Sequence, residues 1–314
     1  MRAFLTAVLA LAAGAGTVAA AARQQASSAR RGDGRVRPRR PARPIRLPET
    51  VKVTKDIVYA RYGRREVMLD LYQPAEAPTG KRACVVVIHG GGWRSGNKER
   101  FARFAVALAA KGFVAPCVGY RLRPEVKVSG CVEDVKAAVR WVRANAAKHT
   151  VDPNRIGAFG GSAGAHLAAM LGTSFKEKAI EGEGGNARQS SRVTAVVSMA
   201  TPADLTRFAR YTGADPNAAK RISPASYVDA DSARFLLMHA RGDRVVPYGQ
   251  SLLLQKKLQA AKVPVKLITL EGGSHAFWNG TGPAATKALE QAVAFFTKTL
   301  MPAKAPPAGK EARP

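Results

Sequence analysis

A serine among four glycines is the first feature of this sequence that could do chemistry. The segment GAFGGSAGAHLAAML runs from Gly157 to Leu171, and Ser162 stands in its pentapeptide GGSAG, which fits the pattern G-x-S-x-G. In that pattern a sharp turn between a strand and a helix lifts the serine hydroxyl above the sheet edge, and the residues two before and two after it must lack side chains. The runs RIGAF and AHLAAML supply the strand and the helix. We therefore predict that Ser162 is a nucleophile.

The serine needs a base, because its hydroxyl is a poor nucleophile at neutral pH unless a base held by an acid removes the proton. His275, in LEGGSHAFW, follows the last strand-like run on a loop of small residues. Because a loop at the carboxyl end of a parallel strand can carry an imidazole over the sheet edge, we predict that His275 is the base. His89 is expected to brace a loop, and His149 to end a solvent-facing helix. His166 is expected to pack beneath the site, and His239 to lie inside a strand.

The acid must lie within reach of that base and orient it. Asp243 directly follows the strand-like run RFLLMHA, so it shares the sheet edge with Ser162 and His275. We predict that Asp243 orients the imidazole of His275 and stabilises its protonated form. The other aspartates between the serine and the histidine are expected to cap a helix or lie in polar turns: Asp204, Asp215, Asp229 and Asp231.

Acyl transfer also requires hydrogen-bond donors for a developing oxyanion. The segment HGGGW follows the apolar run ACVVVI, and its three glycines allow backbone N–H groups to turn toward a substrate carbonyl. We predict that the N–H groups of Gly91, Gly92 and Ala163 form this oxyanion hole.

Strand-like and helix-like segments alternate through the core and must bring these residues together. Apolar runs such as ACVVVIHGG and FVAPCVGYR are typical of strands buried on both faces. The segment VEDVKAAVRWVRANAAKH places four valines on one helical face. The alternation predicts an α/β fold, a mostly parallel twisted sheet with helices on both faces. Two stretches interrupt it, SFKEKAIEGEGGNARQSSR and residues 202–232, and we interpret them as lid-like insertions.

Five motifs, in their order along the chain, resemble those of the α/β-hydrolases of the esterase/lipase group: HGGGW, YRLRPE, GGSAG, GDRVVP and GGSHAF. The hormone-sensitive-lipase-like and the feruloyl and acetyl xylan esterase-like branches are the nearest, and the resemblance extends from Val51 to Leu300. It implies the α/β-hydrolase fold and hydrolysis of carboxylic esters through an acyl-enzyme on Ser162, without a metal or an organic cofactor. One departure is Arg123, where the family more commonly has a small residue.

We therefore predict a serine carboxylesterase acting on short-chain acyl esters, with acetylated or feruloylated polysaccharides among its candidate substrates. An amidase, a formamidase or a peptidase of the same fold is the alternative, since these enzymes share the triad. A catalytically inactive binding protein is a third hypothesis. It is disfavoured because every catalytic role has a residue to fill it.

The ends of the chain differ in composition from its core. Residues 1–22 combine one arginine with an uncharged run of alanine, leucine and valine, which predicts a secretory signal peptide. Residues 23–49 are rich in arginine and proline and predict a disordered linker, as residues 302–314 predict a disordered tail. The α/β-hydrolase domain is expected at 50–301. These features predict a secreted or periplasmic protein, with an N-terminal membrane anchor as the alternative.

The chain is strongly basic, with 50 Lys and Arg against 22 Asp and Glu and a formal net charge of +28. This charge suggests that the linker is loosely attracted to anionic surfaces. A nucleic-acid partner is not expected, because no aromatic and basic motif accompanies the charge. Three cysteines, Cys84, Cys117 and Cys131, cannot all pair. The first two are expected to be small buried residues, and at most one disulfide is conceivable.

Overall fold

Eight strands form one open sheet in the computed structural model, which describes residues 47–301. The strands are β1 (Val51–Tyr62), β2 (Arg65–Pro74), β3 (Arg82–Ile88), β4 (Ala115–Val118), β5 (Val151–Gly161), β6 (Ala195–Met199), β7 (Arg234–Ala240) and β8 (Val265–Leu270). Their order across the sheet is β1-β2-β4-β3-β5-β6-β7-β8. The pairs β1–β2 and β2–β4 are antiparallel and the remaining pairs are parallel, which confirms the predicted mostly parallel sheet.

The central strands are buried on both faces. In β3, Cys84, Val86 and Ile88 belong to one apolar core, and the alanine and valines between them belong to the other. This explains why the run ACVVVI is continuously apolar, since successive side chains of a strand point to opposite faces.

Helices cover both of these faces, as predicted. They are α1 (Ala102–Ala109), α2 (Val128–Ala144), α3 (Ala163–Thr173), α4 (Ala209–Thr212), α5 (Pro216–Arg221), α6 (Gly249–Ala260) and α7 (Pro283–Leu300). Phe104 of α1 and Phe296 of α7 are buried in one core. Val135 of α2, Leu167 of α3 and Leu254 of α6 are buried in the other.

The helix α2 differs from its prediction at both ends. It spans Val128–Ala144, whereas the pattern predicted Val132 to His149. The side-chain amide of Asn145 donates to the carbonyl of Trp141 at 2.9 Å and ends the helix, after which the chain turns into β5. The four valines of the predicted face are buried: Val132, Val135, Val139 and Val142.

The two predicted insertions take different positions. The first, residues 174–192, is held against α2 by Glu181, whose carboxylate accepts from Lys136 and Arg140 at 2.8 Å each. Both cations are almost fully buried, so this pairing compensates their loss of hydration. The second, residues 202–232, folds into α4, α5 and short 3₁₀ turns.

The three cysteines are buried and free. Burial raises the pKa of the Cys131 thiol to about 12 and also raises the pKa values of the Cys84 and Cys117 thiols well above their usual value. The burial predicted for Cys84 and Cys117 is confirmed, and the conceivable disulfide does not form.

The predicted signal peptide (1–22), the tail (302–314) and all but the last residues of the predicted linker (23–49) lie outside the described residues. Within 47–301, none of the helices combines the length and the apolar character needed to cross a bilayer.

Candidate active site

Ser162 occupies a sharp turn between β5 and α3, with φ 56° and ψ −123°. The turn is held at both ends: the N–H of Ser162 donates to the carbonyl of Met199 at 2.8 Å, and its own carbonyl accepts from the N–H of His166 at 3.0 Å. A Cβ on Gly160 would lie 2.2 Å from the carbonyl oxygen of Gly164. A Cβ on Gly164 would lie 2.2 Å from the carbonyl oxygen of Ile88. Both positions therefore require glycine, which accounts for the spacing in GGSAG.

The structure brings Ser162, His275 and Asp243 into one hydrogen-bonded line. His275 Nε2 lies 2.8 Å from Ser162 Oγ, and His275 Nδ1 lies 2.7 Å from Asp243 Oδ2. A carboxylate only accepts, so Nδ1 carries the proton and Nε2 is left to accept the serine hydroxyl. The side chain of Asp243 is fully buried and that of His275 is 18% exposed. This geometry can remove a proton from the hydroxyl and return it to a leaving group.

Asp243 is held by four donors. Its Oδ1 accepts from the N–H groups of Val245 and Val246 at 2.8 and 2.9 Å. Its Oδ2 faces His275 and also His239, whose Nε2 lies 3.2 Å away. Burial opposes ionisation of this carboxyl, but the hydrogen bonds from His239, His275 and the two backbone N–H groups outweigh it and hold its pKa well below the usual range.

We expect Asp243→Asn to remove a contribution to stability that depends on pH. Because folding lowers the pKa of Asp243, its ionised form stabilises the protein above the unfolded value of about 3.9, and that stabilisation is lost as the pH falls through the folded pKa. The difference in free energy of unfolding between wild type and Asp243→Asn should narrow as the pH falls below about 4. Urea unfolding at a series of pH values measures it. A difference that widens in acid contradicts the assignment.

The loop after β3 lies beside the serine. Gly91 and Gly92 have φ of 138° and 62°, backbone angles that favour glycine. The carbonyl of Gly91 accepts from the N–H groups of Arg94 and Ser95, so the loop closes on itself. Both glycines line the cavity in front of Ser162.

The N–H of Ala163 lies in the first turn of α3, where no intrahelical acceptor exists. No acceptor within residues 47–301 is paired with the N–H of Gly91, Gly92 or Ala163. These three groups are therefore available to a substrate oxygen. Their role in an oxyanion hole stays a prediction.

A cavity of about 270 Å³ opens in front of Ser162 and His275. Its wall is mainly apolar and includes Phe101, Phe208 and Trp278. Pro202 and Phe208 come from the second predicted insertion, whereas no residue of the first lines this cavity. Within the described part of the chain, no three His, Cys, Asp or Glu side chains are grouped to hold a metal ion.

Three other histidines use their ring nitrogens for internal contacts. Nδ1 of His89 lies 2.9 Å from the carbonyl oxygen of Gly90. His166 accepts from Trp93 Nε1 at 3.2 Å and donates through Nε2 to the carbonyl of Ile222 at 2.6 Å. Burial lowers the pKa of both His89 and His166 to about 4. These placements agree with the predicted bracing and packing roles, whereas the contact of His239 with Asp243 was not predicted.

Arg103 is a second residue that sequence reasoning missed. It lies on α1, and its guanidinium donates to the carbonyls of Trp278 and Gly280, just after His275 in the chain. It thereby ties the loop that carries the imidazole to a helix of the scaffold. No motif in the sequence marks this contact, which joins residues 175 positions or more apart in the chain.

Comparison with known proteins places this geometry in a family. The BD-FAE family model matches residues 69–258, more than half of the chain. Esterase LipQ of Mycobacterium tuberculosis is 30% identical over 244 residues, which are 71% of this chain and 57% of that protein. The chain therefore spans little more than half the length of this relative.

Solved structures match over almost their whole length. Thermogutta terrifontis esterase 2 phosphoramylated by tabun superposes with a TM-score of 0.73 at 31% identity, over 83% of this chain and 99% of that one. The propionate-bound form gives a TM-score of 0.71 at 31% identity, over 82% and 98%. These likenesses confirm the predicted α/β-hydrolase fold. The chain belongs to the BD-FAE family of α/β-hydrolase esterases.

Proposed function

We propose that this protein is a serine carboxylesterase that hydrolyses short-chain acyl esters. The observation that carries the proposal is the hydrogen-bonded line from Ser162 through His275 to Asp243 at the mouth of an apolar cavity. The esterase names of its relative and of its structural neighbours agree with it.

In the first half of the reaction, Ser162 Oγ attacks the ester carbonyl while His275 Nε2 takes the hydroxyl proton. Asp243, ionised and fully buried, stabilises the imidazolium that forms. The carbonyl oxygen becomes an oxyanion beside the N–H groups of Gly91, Gly92 and Ala163, which lie unpaired before substrate arrives. His275 then gives its proton to the leaving alcohol, and an acyl-enzyme remains on Ser162.

In the second half, a water molecule repeats these steps. His275 takes one of its protons, the hydroxide attacks the acyl carbon, and the proton returns to Ser162 Oγ as the acid leaves. The same base therefore serves both halves, which is why one imidazole between a hydroxyl and a carboxylate suffices.

The cavity supports a preference for short acyl groups. Its volume of about 270 Å³ lies below the usual range for drug-sized ligands, and Phe101, Phe208 and Trp278 give it bulky walls. Thermogutta terrifontis esterase 2 has been solved with propionate bound. We extend that scale of acyl group to this chain, which favours acetylated over feruloylated polysaccharides as candidate natural substrates.

The proposal includes export of the protein. A cleaved signal peptide at 1–22 and a basic linker at 23–49 would deliver the hydrolase domain, 50–301, to a compartment where such polysaccharides occur.

The test is a profile of 4-nitrophenyl esters from acetate to palmitate, with an aryl formamide as the comparison substrate. We expect kcat/KM to be highest for the shortest acyl groups, because longer chains do not fit the cavity. A maximum at long chains would contradict the short-chain assignment. Faster turnover of the formamide than of any ester would replace the esterase with the formamidase alternative.

A further inference from the structure

We propose that His239 is a positioning residue for the proposed catalytic acid: its Nε2–H holds Asp243 Oδ2, the oxygen that also receives His275. The inference rests on the proposed function and deepens it. His239 lies on β7, four residues before Asp243, and is fully buried. It does not touch the cavity in front of Ser162.

The protonation of His239 follows from its neighbours. Its Nε2 lies 2.9 Å from the carbonyl oxygen of Val246 and 3.2 Å from Asp243 Oδ2. Neither oxygen can donate, so Nε2 must carry a proton and share it between them. Its Nδ1 lies 2.7 Å from Ser251 Oγ, which supplies a hydroxyl proton to that nitrogen. The imidazole is thus satisfied on both sides as the neutral Nε2–H form.

The contact with His239 completes the set of hydrogen-bond donors around the Asp243 carboxylate. Val245 and Val246 N–H groups fix Oδ1, and two imidazoles meet at Oδ2. The carboxylate therefore cannot rotate without breaking several hydrogen bonds at once. His239 also ties Asp243 to helix α6, because Ser251 belongs to that helix.

Sharing one oxygen has an electrostatic consequence for His275. The Nε2–H of His239 draws some negative charge from Oδ2, so Asp243 stabilises the imidazolium form of His275 less than it would alone. Loss of this donor should make His275 easier to protonate.

The other groups that surround His275 limit competing explanations. Ser162 and Asp243 contact it directly. Arg100 lines the same cavity, and Arg103 donates to carbonyls of its loop. Neither arginine is among the hydrogen-bond partners of His239, so a change in the pH profile of a His239 variant reports the contact with Asp243.

A matched pair of amides tests the proposal. In His239→Asn the short side-chain amide can replace the ring Nδ1 and contact Ser251, but it does not reach Asp243. In His239→Gln the longer amide can replace Nε2 and donate toward Val246 and Asp243. Ser251→Ala is the reverse control, because it removes the buried hydrogen bond on the side away from Asp243. Each full-length variant is assayed for kcat and KM with 4-nitrophenyl acetate across pH, and its thermal unfolding is recorded.

We expect His239→Asn to lower kcat about tenfold with KM nearly unchanged, the lower end of the roughly 10–100-fold losses seen when groups that orient metal ligands are mutated. The acidic limb of kcat/KM, which reports protonation of the base in the free enzyme, should move to higher pH. His239→Gln should restore kcat and the position of the acidic limb to near their wild-type values. Ser251→Ala should leave the acidic limb of kcat/KM unchanged.

Equal effects of His239→Asn and Ser251→Ala, or an unmoved limb in His239→Asn, would overturn the inference and make His239 a packing residue only. Those results leave ester hydrolysis by the wild type intact. A wild-type protein that hydrolyses no ester would instead overturn the proposed function, and this inference with it.

Discussion

Ser162→Ala is expected to lower kcat for 4-nitrophenyl acetate by about 10⁶-fold, the loss seen when the nucleophile of such a triad is removed. Among the described residues, its hydroxyl is the one within hydrogen-bond distance of His275 Nε2, so no neighbour can replace it. Thermal unfolding should change little, because the alanine keeps the backbone of the turn. Ser226→Ala, at an exposed serine, is the control for the substitution itself and should retain full activity. Substantial hydrolysis by Ser162→Ala would remove Ser162 from the mechanism.

The same position carries a prediction about strain. At φ 56° and ψ −123°, Ser162 lies outside the regions that residues with a side chain normally occupy. Such a conformation costs about 1–3 kcal/mol, whereas glycine adopts it freely at an entropic cost of about 0.5–1 kcal/mol. Ser162→Gly should therefore be as inactive as Ser162→Ala but more stable by about 1 kcal/mol in urea unfolding. If the two variants unfold alike, the turn stores no strain.

Much of this site was predictable because it follows from the ends of parallel strands. Ser162 and Asp243 each lie shortly after a buried apolar run, and His275 follows the last one. Parallel strands end at one edge of the sheet, so residues far apart in the chain converge there. The close backbone packing at Gly160 and Gly164 was also predictable from the G-x-S-x-G pattern. In the structure, backbone atoms lie where a Cβ of either residue would stand.

The contacts that support the site were not predictable in the same way. His239 lies in an apolar run typical of a strand, and this sequence context predicts only that its side chain is buried. It meets Asp243 because the chain turns sharply after β7, with Val245 and Val246 N–H groups drawing the carboxylate back toward the strand end. That turn depends on hydrogen bonds to the Asp243 side chain, and such bonds leave no periodic pattern in the sequence.

Charged residues on α2 show the same limit. The helical pattern singled out only the valines of α2, yet Lys136 and Arg140 are buried as well. Their burial depends on Glu181, which arrives from an irregular segment some forty residues later. Nothing in the spacing of either segment identifies the partner, because residues 174–192 contain only one short 3₁₀ turn, Lys178–Ile180, from which to infer their path.

His275→Ala and His166→Ala are expected to have opposite consequences, although His275 contacts the Ser162 side chain and His166 contacts the Ser162 backbone. Removing His275 takes away the proposed base and should lower kcat by about 10⁶-fold with little loss of stability, since its side chain is partly exposed. Removing His166 leaves the Trp93 indole N–H and the Ile222 carbonyl without partners, at a cost of about 1–3 kcal/mol for each buried group. We expect that variant to unfold at a lower temperature but to keep kcat within about tenfold of wild type.

The physical basis for this separation is the protonation of each ring. Burial lowers the pKa of His166 to about 4, so it is too weak a base to deprotonate serine near neutral pH, and its Nδ1 lone pair is already occupied by Trp93. His275 has its Nε2 directed at the hydroxyl and its Nδ1–H fixed by an ionised carboxylate. Measuring kcat and thermal unfolding for both variants therefore assigns the base: equal losses of kcat would give His166 a part in proton transfer that its hydrogen bonds do not allow.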